Sequence, residues 1–183
     1  IYVTQDYKEA MAFGDEIAVI NDGIVQQIGT PEQIYLSPAN VEIARLFGDP
    51  VINFLDVTPQ KDAAGVFAHI SDKRVDLEAG YAHVVGQECS LGIRPESVLF
   101  VTENHASAVP VTVEAETPLN EKTVNLCLTA RGREIMASRP SGTDGPENGP
   151  AFVTIEAANA LIFDKHTGAL IEPEETTAKG KVA

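Results

Sequence analysis

The sequence predicts a mostly β fold with a few short helices, and three observations support this. Short runs rich in Val, Ile, Thr and Phe recur from about residue 55 to residue 171, separated by clusters of turn-forming residues. Strands at this spacing are typical of a small barrel or sandwich. Helix-capping motifs occur in the first 50 residues. The 183 residues are 44% hydrophobic, which is enough for a packed core in one domain or two small ones.

The first predicted elements are a strand and a short helix. Ile1–Thr4 has the pattern of the end of a buried strand. Asp6 with Glu9 three residues later fits a capping box, in which each side chain accepts a hydrogen bond from a backbone N–H at the helix start. We expect this helix to end near Phe13, where Gly14 suits its C-terminal end.

A hairpin and two further helices are predicted next. Asn21-Asp22-Gly23 predicts a tight turn between strands Glu16–Ile20 and Ile24–Ile28, because Asn, Asp and Gly tolerate positive φ. Thr30-Pro31-Glu32-Gln33 predicts a helix start with a capping box and a proline in the first turn. Asn40 is the predicted cap of the helix after that.

The remainder, as far as Ile171, is predicted to be β-rich. The candidate strands are Val66–Ile70, Cys89–Arg94, Ser97–Val101, Val109–Glu116, Thr123–Thr129, Glu134–Ser138, Phe152–Ile155 and Ala160–Phe163. Two stretches, Leu91–Phe100 and Val153–Phe163, share the order strand, short polar turn, strand. This similarity predicts a duplicated half-barrel.

Composition and charge exclude several kinds of function. The formal net charge is −14, and an acidic surface is repelled by nucleic-acid phosphates and by anionic lipids. Aromatic content is 6% with no Trp, which argues against an OB-type platform for stacking bases. No apolar run approaches the roughly 18 residues that span a bilayer. We therefore expect no nucleic-acid partner and no direct membrane insertion.

The histidines and cysteines do not form a metal site in the sequence. The four histidines show no i, i+4 pair and no shared cluster with carboxylates, whereas a metal needs three or four convergent ligands. Cys89 and Cys127 form no CxxC pair and are predicted to be buried thiols of a reducing compartment, although a disulfide stays open.

The opening motif resembles that of a known family. Tyr2-Val3-Thr4-Gln5-Asp6-Tyr7-Lys8-Glu9-Ala10-Met11 is similar to the switch segment of ABC-transporter ATPases, which usually reads Y-V-T-H-D-Q-x-E-A-M. The strings Gln27-Ile28-Gly29-Thr30-Pro31-Glu32 and Phe47-Gly48-Asp49-Pro50 resemble the maltose-type sugar importers, and so do Asn53-Phe54-Leu55 and Leu91-Gly92-Ile93-Arg94-Pro95-Glu96.

The resemblance implies a division of the chain into three parts. Residues 1–55 would be the C-terminal remnant of a nucleotide-binding domain, and residues 56–171 an OB-type regulatory barrel. Residues 172–183 are rich in charge, Thr, Ala and Lys and are predicted to be a disordered tail.

The switch position differs from the family pattern. In the family the His at this position contacts the γ-phosphate of ATP, and here the position holds Gln5. Gln can donate a hydrogen bond but is never cationic and does not carry protons. In a full-length subunit we expect ATP hydrolysis to be weak or to depend on a partner subunit with a His.

The chain by itself is predicted to be no enzyme. No G-x-x-x-x-G-K-[ST] run occurs in the sequence, so nothing cradles the β- and γ-phosphates. The resemblance implies ATP and Mg²⁺ as cofactors of a full-length subunit and none in this chain.

Four residues are candidates for regulatory or ligand contacts. Arg94 and Glu96 could contact an anionic effector or a partner, and the alternative is a structural Arg–Glu pair that closes a turn. Lys122 and Thr123 lie where the family's regulatory barrel usually carries a Leu-Gly-x-Glu turn. There Asn120 replaces the Gly and is predicted to adopt positive φ.

The resemblance also implies partners and a location. Such barrels pair across a homodimer, and the full-length subunit binds the membrane subunits of the transporter, in the cytoplasm at the inner membrane. The implied function is a regulatory and dimerisation segment of a sugar or polar-solute importer. The alternative is a free-standing barrel that senses oxyanions, for which Ser97, Lys122 and Thr123 could supply donors.

Overall fold

The structure, a computed structural model, describes residues 1–174 without the side chain of Ala157. A segment of short helices and a hairpin comes first, and we call residues 7–47 the helical segment. Its elements are α1 (Tyr7–Phe13), β1 (Ile17–Asn21), β2 (Ile24–Gly29), α2 (Pro31–Leu36) and α3 (Val41–Leu46).

Local sequence explains most of these boundaries. Asp22 at φ 50° and Gly23 at φ 74° make the tight turn between β1 and β2, as predicted. Thr30 and Gln33 form the predicted capping box of α2, with both reciprocal hydrogen bonds present. The Asn40 side chain accepts from the backbone N–H of Ile43 and begins α3.

Two predictions at the start of the chain are wrong. Ile1–Thr4 is not a strand: its backbone is irregular, and Ile1 and Val3 are exposed. A strand needs a neighbour to pair with, and within residues 1–174 none pairs with this stretch. Asp6 caps α1 by accepting from the N–H of Lys8, but Glu9 does not complete the box, because its carboxylate accepts from Thr4 instead.

The helical segment has its own small core. Ile17 and Val19 of β1 pack with Ile34 of α2 and with Ile43 and Phe47 at α3. The opposite face of β1, with Ala18 and Ile20, is exposed, as the alternation of side chains along a strand requires.

The barrel follows, and its strands are β3 (Asn53–Val57), β4 (Gln60–Asp62), β5 (Gly65–Ile70), β6 (Lys73–Asp76), β7 (Cys89–Ile93), β8 (Val98–Val101), β9 (Val109–Pro118), β10 (Lys122–Thr129), β11 (Glu134–Pro140), β12 (Gly149–Ile155), β13 (Leu161–Asp164) and β14 (Leu170–Ile171). Hydrogen bonding orders them β11-β10-β9-β12-β8, β14-β13-β7-β3 and β4-β5-β6. Short 3₁₀ helices cover Ala79–Val84, Pro95–Ser97 and Ala157–Asn159. The fold is mostly β with few helices, as predicted.

The two similar stretches identified in the sequence lie side by side. β12 pairs antiparallel with β8, and β13 pairs antiparallel with β7. The corner after β7 therefore meets the corner after β12, where the N–H of Glu156 donates to the carbonyl of Ser97 over 2.9 Å. Each stretch passes from one sheet into the other at its 3₁₀ helix.

Asn53 closes the gap between two sheets. Its side-chain amide donates to the carbonyl of Met136 on β11 over 2.8 Å and accepts from the N–H of Met136 over 2.7 Å. The same amide donates to the carbonyl of Ile93 over 3.1 Å. Asn53 thus takes the place of a neighbouring strand at the edge of β11. β3 itself spans the predicted boundary at residue 55, because Asn53 already pairs with Ile93 of the barrel.

The interior of the barrel is mainly apolar, although Thr123, Asn125 and Thr129 of β10 are also buried. Leu91, Ile93, Val109, Ile135 and Val153 are fully buried within one cluster that links the sheets. Within the described residues, no helix is both long enough and apolar enough to cross a membrane. Of the predicted tail, residues 172–174 are described, and the rest lies outside the described residues.

Candidate functional site

The junction between the helical segment and the barrel centres on Arg94. Arg94 follows β7 at the corner before Pro95 and is only 5% exposed. Its guanidinium donates to the carbonyls of Ala44 and Phe47 over 3.1 Å each and to the carbonyl of Tyr35 over 2.7 Å. We call Arg94 with these three residues the Arg94 junction.

At this junction the positively charged guanidinium binds backbone carbonyls at the end of a helix. Ala44 and Phe47 lie at the C-terminal end of α3, where backbone carbonyls lack helical partners and carry partial negative charge. Arg94 Cζ also lies 3.9 Å from the centre of the Tyr35 ring, in a cation–π contact. Within residues 1–174 no carboxylate lies within 4.0 Å of the guanidinium, and burial lowers the pKa of Arg94.

Glu96 makes a different contact from the one the sequence suggested. Its side chain is exposed, and it accepts a hydrogen bond from the hydroxyl of Tyr35 and not from Arg94. Burial, followed by this hydrogen bond, raises the pKa of Tyr35 to about 12. Arg94 and Glu96 therefore meet on Tyr35: one binds its carbonyl and ring, and the other binds its hydroxyl.

Gly92 in the same motif is required by close packing. A Cβ at Gly92 would lie 2.9 Å from Cε2 of Phe163 and 3.1 Å from Cδ1 of Ile52. Phe163 is fully buried, so the ring cannot move aside at low cost. The Gly of the Leu-Gly-Ile-Arg-Pro-Glu motif thus fits β7 against Phe163, directly beside the Arg94 junction.

Lys122 and Thr123 lie at the turn between β9 and β10. Lys122 donates to the backbone carbonyl of Asp49, and its Nζ lies 3.8 Å from Oδ2 of Asp49. Thr123 is 4% exposed. The turn forms as predicted, with the N–H of Leu119 donating to the carbonyl of Lys122, but the prediction of positive φ for Asn120 is wrong. The three residues between β9 and β10, Leu119–Glu121, form the turn without a residue at positive φ.

Gln5 lies in the exposed stretch before α1. Its side chain is exposed and belongs to no hydrogen bond among the described residues. Around it, the Thr4 hydroxyl donates to Glu9 over 2.7 Å and the Tyr2 hydroxyl donates to the same carboxylate over 2.9 Å. Residues 2–9 therefore form one hydrogen-bonded unit with the first turn of α1.

The described residues hold no candidate metal centre. Within residues 1–174 no group of three or more His, Cys, Asp or Glu side chains converges. Cys89 and Cys127 are both free and buried, and burial raises the pKa of Cys127 to about 11. The prediction of buried thiols is confirmed, and the disulfide alternative does not form.

Comparison with known proteins finds a family model and several relatives that match the chain. Residues 48–98 match the family model described as MalK OB fold domain. The chain is 36% identical over 188 residues to the Trehalose/maltose import ATP-binding protein MalK of Thermococcus litoralis, covering 93% of this chain and 48% of that protein. It is 32% identical over 174 residues to the sn-glycerol-3-phosphate import ATP-binding protein UgpC of Yersinia pestis, covering 94% and 47%. The chain is therefore similar, over more than nine tenths of its own length, to part of the ATP-binding subunits of ABC importers.

Among these ABC importer subunits, the chain spans a little under half the length of the curated relatives it matches. A solved structure of the cytoplasmic molybdate-binding protein ModG with molybdate bound has a TM-score of 0.48 and 16% identity, over 60% of this chain and 94% of that one. At that level the likeness carries no argument about function.

The sequence analysis singled out two of the polar residues that connect the helical segment with the barrel and missed three others. Arg94 and Glu96 were candidates, but Tyr35, Asp49 and Asn53 were not. Asp49 and Asn53 lie in two of the strings that resemble the importer family, and that was the available signal for them.

Proposed function

We propose that this chain is the regulatory and dimerisation segment of the ATP-binding subunit of an ABC importer for sugars or related polar solutes. The Arg94 junction is the observation that carries the proposal. It joins the helical segment, which directly follows the switch position, to the barrel through three hydrogen bonds of one buried cation. A movement of the barrel would therefore carry α2 and α3 with it. The names of the two relatives, which concern trehalose/maltose and sn-glycerol-3-phosphate import, support the solute class.

In this proposal Gln5 occupies the position that contacts the γ-phosphate of ATP. Its exposed side chain lies on the unit formed by residues 2–9, so it is free to face a nucleotide held by other parts of the subunit. A neutral amide can hydrogen-bond to the γ-phosphate or to the attacking water, but it cannot become cationic or take up a proton as a histidine can. The subunit would then hydrolyse ATP slowly unless its partner supplies a His.

The test is ATP turnover by the full-length subunit carrying Gln5→His. We expect turnover to rise about tenfold or more, because a positioned general base contributes at least that much. Gln60→His on the exposed strand β4 is the matched control and should leave turnover unchanged. An unchanged rate in Gln5→His would refute the assignment of Gln5 to the switch.

We further propose that the chain alone does not hydrolyse ATP and that it pairs through its barrel. Pairing would keep two ATPase halves at a high effective concentration while they open and close. Sedimentation of the isolated chain should show a dimer that forms as concentration rises. A strict monomer up to millimolar concentration would count against the dimer. In the cell we place the subunit in the cytoplasm, at the inner membrane through the transporter's membrane subunits.

The oxyanion-sensing alternative has less support. Of its candidate donors, Ser97 and Thr123 are 3% and 4% exposed, and Lys122 is engaged with Asp49. The net charge of −14 also opposes capture of an anion. Titration with molybdate, tungstate and sulfate tests it, and saturable binding at one site per chain would favour it over the regulatory role.

A further inference from the structure

One carboxylate oxygen lies between two lysines from different parts of the chain. Oδ2 of Asp49 lies 2.7 Å from Nζ of Lys8 on α1 and 3.8 Å from Nζ of Lys122 at the start of β10. Lys122 also donates to the backbone carbonyl of Asp49. The hydrogen bond from Lys8 is the main cause that lowers the pKa of Asp49, and Lys122 adds to it. Asp49 thus links the helix that follows the switch position to the barrel.

On one side of this contact, α1 is loosely held. None of its residues is buried, and its aromatic contact is Tyr7 edge-on to Phe47, with ring centres 6.1 Å apart. A cleft of about 400 Å³ is lined by Met11 of α1 together with Tyr35 and Phe47. Tyr7, Ala10 and Met11 are only partly buried against the core of the helical segment, so the Lys8–Asp49 pair adds to a limited set of contacts that keep α1 in place.

On the other side, Asp49 lies on fixed backbone. Two residues earlier, the carbonyl of Phe47 accepts from Arg94. At Gly48 a Cβ would lie 3.0 Å from Nη1 of Arg94, so the chain passes directly against the buried guanidinium. Asp49 therefore moves with the barrel, while Lys8 moves with α1 and the switch segment.

We propose that Asp49 is the regulatory contact through which the barrel controls the seating of α1, with Lys122 competing against Lys8 for the same carboxylate. The proposal rests on the proposed function, because it takes residues 2–9 to be the switch segment. Two ammonium groups at one oxygen repel each other, so withdrawal of Lys122 strengthens the pair that Asp49 makes with Lys8. A partner that binds Lys122 at the β9–β10 turn would thereby hold α1 more firmly against the barrel.

Competition between the two lysines suits a reversible device. The exposed fractions of the Lys8, Asp49 and Lys122 side chains are 64%, 40% and 31%, so water and salt screen their attraction. Such pairs are weak enough to exchange partners without unfolding the segment. If the two lysines compete, removing the charge of Lys122 stabilises α1. If Lys122 only tethers Asp49 to the barrel, removing it does not stabilise α1.

The test is water-exchange NMR on the 183-residue chain, read at the α1 amides of Ala10 and Gly14, which donate to Asp6 and Ala10 respectively. Lys8→Gln and Asp49→Asn should each speed exchange about two- to fivefold, as expected for loss of a surface pair. Lys122→Gln should slow exchange about twofold and should have no effect in the Asp49→Asn background. Lys8→Arg keeps the charge and should retain protection.

Lys73→Gln on β6, an exposed lysine in the same barrel, is the matched control and should change nothing. Sodium chloride at 0.5 M should remove the effect of Lys122→Gln, because the competition is electrostatic. Faster or unchanged exchange in Lys122→Gln would overturn the proposal, and so would unprotected α1 amides in the unchanged chain. This test is independent of the test of the proposed function. If Gln5→His fails to raise ATP turnover, the proposed function is refuted, but the exchange measurement still decides whether the two lysines compete for Asp49.

Discussion

Replacement of Arg94 by Met tests the junction most directly. Met keeps the unbranched shape of the side chain but removes the three donors that bind the carbonyls of Tyr35, Ala44 and Phe47. It also removes the cation above the Tyr35 ring. The helical segment would still be joined to the barrel by the Tyr35–Glu96 hydrogen bond and by the backbone hydrogen bonds that pair residues 39–41 with residues 168–170.

The expected cost follows from opposing terms. A hydrogen bond to a charged group contributes about 1.5–3 kcal/mol net, which gives a gross loss of about 5–9 kcal/mol for three. The variant has no guanidinium to bury, whereas that of Arg94 is only 5% exposed, so the cost of taking a charge out of water is avoided and several kcal/mol of unfolding free energy are recovered. The balance is a destabilisation of about 3–5 kcal/mol, the usual result of breaking a buried polar network.

Urea unfolding followed by circular dichroism measures this loss. With a slope of about 2 kcal/mol per molar, the midpoint should fall by about 2 M. Arg131→Met is the matched control: Arg131 pairs with Asp72 on an exposed surface, so its loss should stay within about 0.5 kcal/mol. A loss in Arg94→Met below about 1 kcal/mol, or equal to that of Arg131→Met, would refute the reasoning.

Three further changes test neighbouring parts of the structure. Gly92→Ala should cost about 1–3 kcal/mol in unfolding free energy, since its Cβ would lie 2.9 Å from the ring of Phe163. Asn53→Ala should cost about 2–4 kcal/mol by the same assay, because the edge of β11 loses both of its side-chain hydrogen bonds. By carbon-13 NMR, Asp49 should titrate below the peptide value of about 3.9, and Lys8→Gln should raise its midpoint. The Asp49 pair therefore contributes above about pH 4 and is lost as pH falls through the depressed pKa of the folded chain.

Each of these changes has its own control. Combining Gly92→Ala with Phe163→Leu removes the blocking ring atoms and should recover part of the loss, and a purely additive double variant would argue against the clash. Asn120→Ala in the exposed β9–β10 turn should leave stability unchanged, and equal losses in Asn53→Ala and Asn120→Ala would contradict the role of Asn53. An Asp49 midpoint that Lys8→Gln does not move would show that the pair is absent in solution.

Local chemistry accounts for the elements that the sequence predicted well. The turn at Asp22-Gly23, the capping box of Thr30 and the cap at Asn40 each depend on residues within four positions of one another. The longer strands carry a period-2 pattern that the sheet can then use, as in β9, where Val109, Val111 and Val113 are buried and the residues between them are exposed. β4, in contrast, is a three-residue exposed strand with no apolar signal, so the sequence missed it.

The wrong predictions failed where a distant or competing partner decides. Ile1–Thr4 has strand-forming residues, but a strand depends on its neighbour, which the local pattern does not specify. Glu9 had the right spacing for a cap, yet the Thr4 and Tyr2 hydroxyls occupy its carboxylate. Arg94 stands two residues from Glu96, but it binds a carbonyl 59 residues away.

The sequence by itself determined the mostly β fold, the caps and the turns, and the family strings that pointed to an ABC importer subunit. These features depend on short-range backbone chemistry and on patterns that repeat every two or four residues. Only the tertiary structure decided that Arg94 binds helix-end carbonyls and that Asn53 closes the edge of β11. It alone brought Lys8 and Lys122 to one oxygen of Asp49. The reason is that a buried or shared polar group takes the partner that folding brings within about 3–4 Å, whatever its separation along the chain.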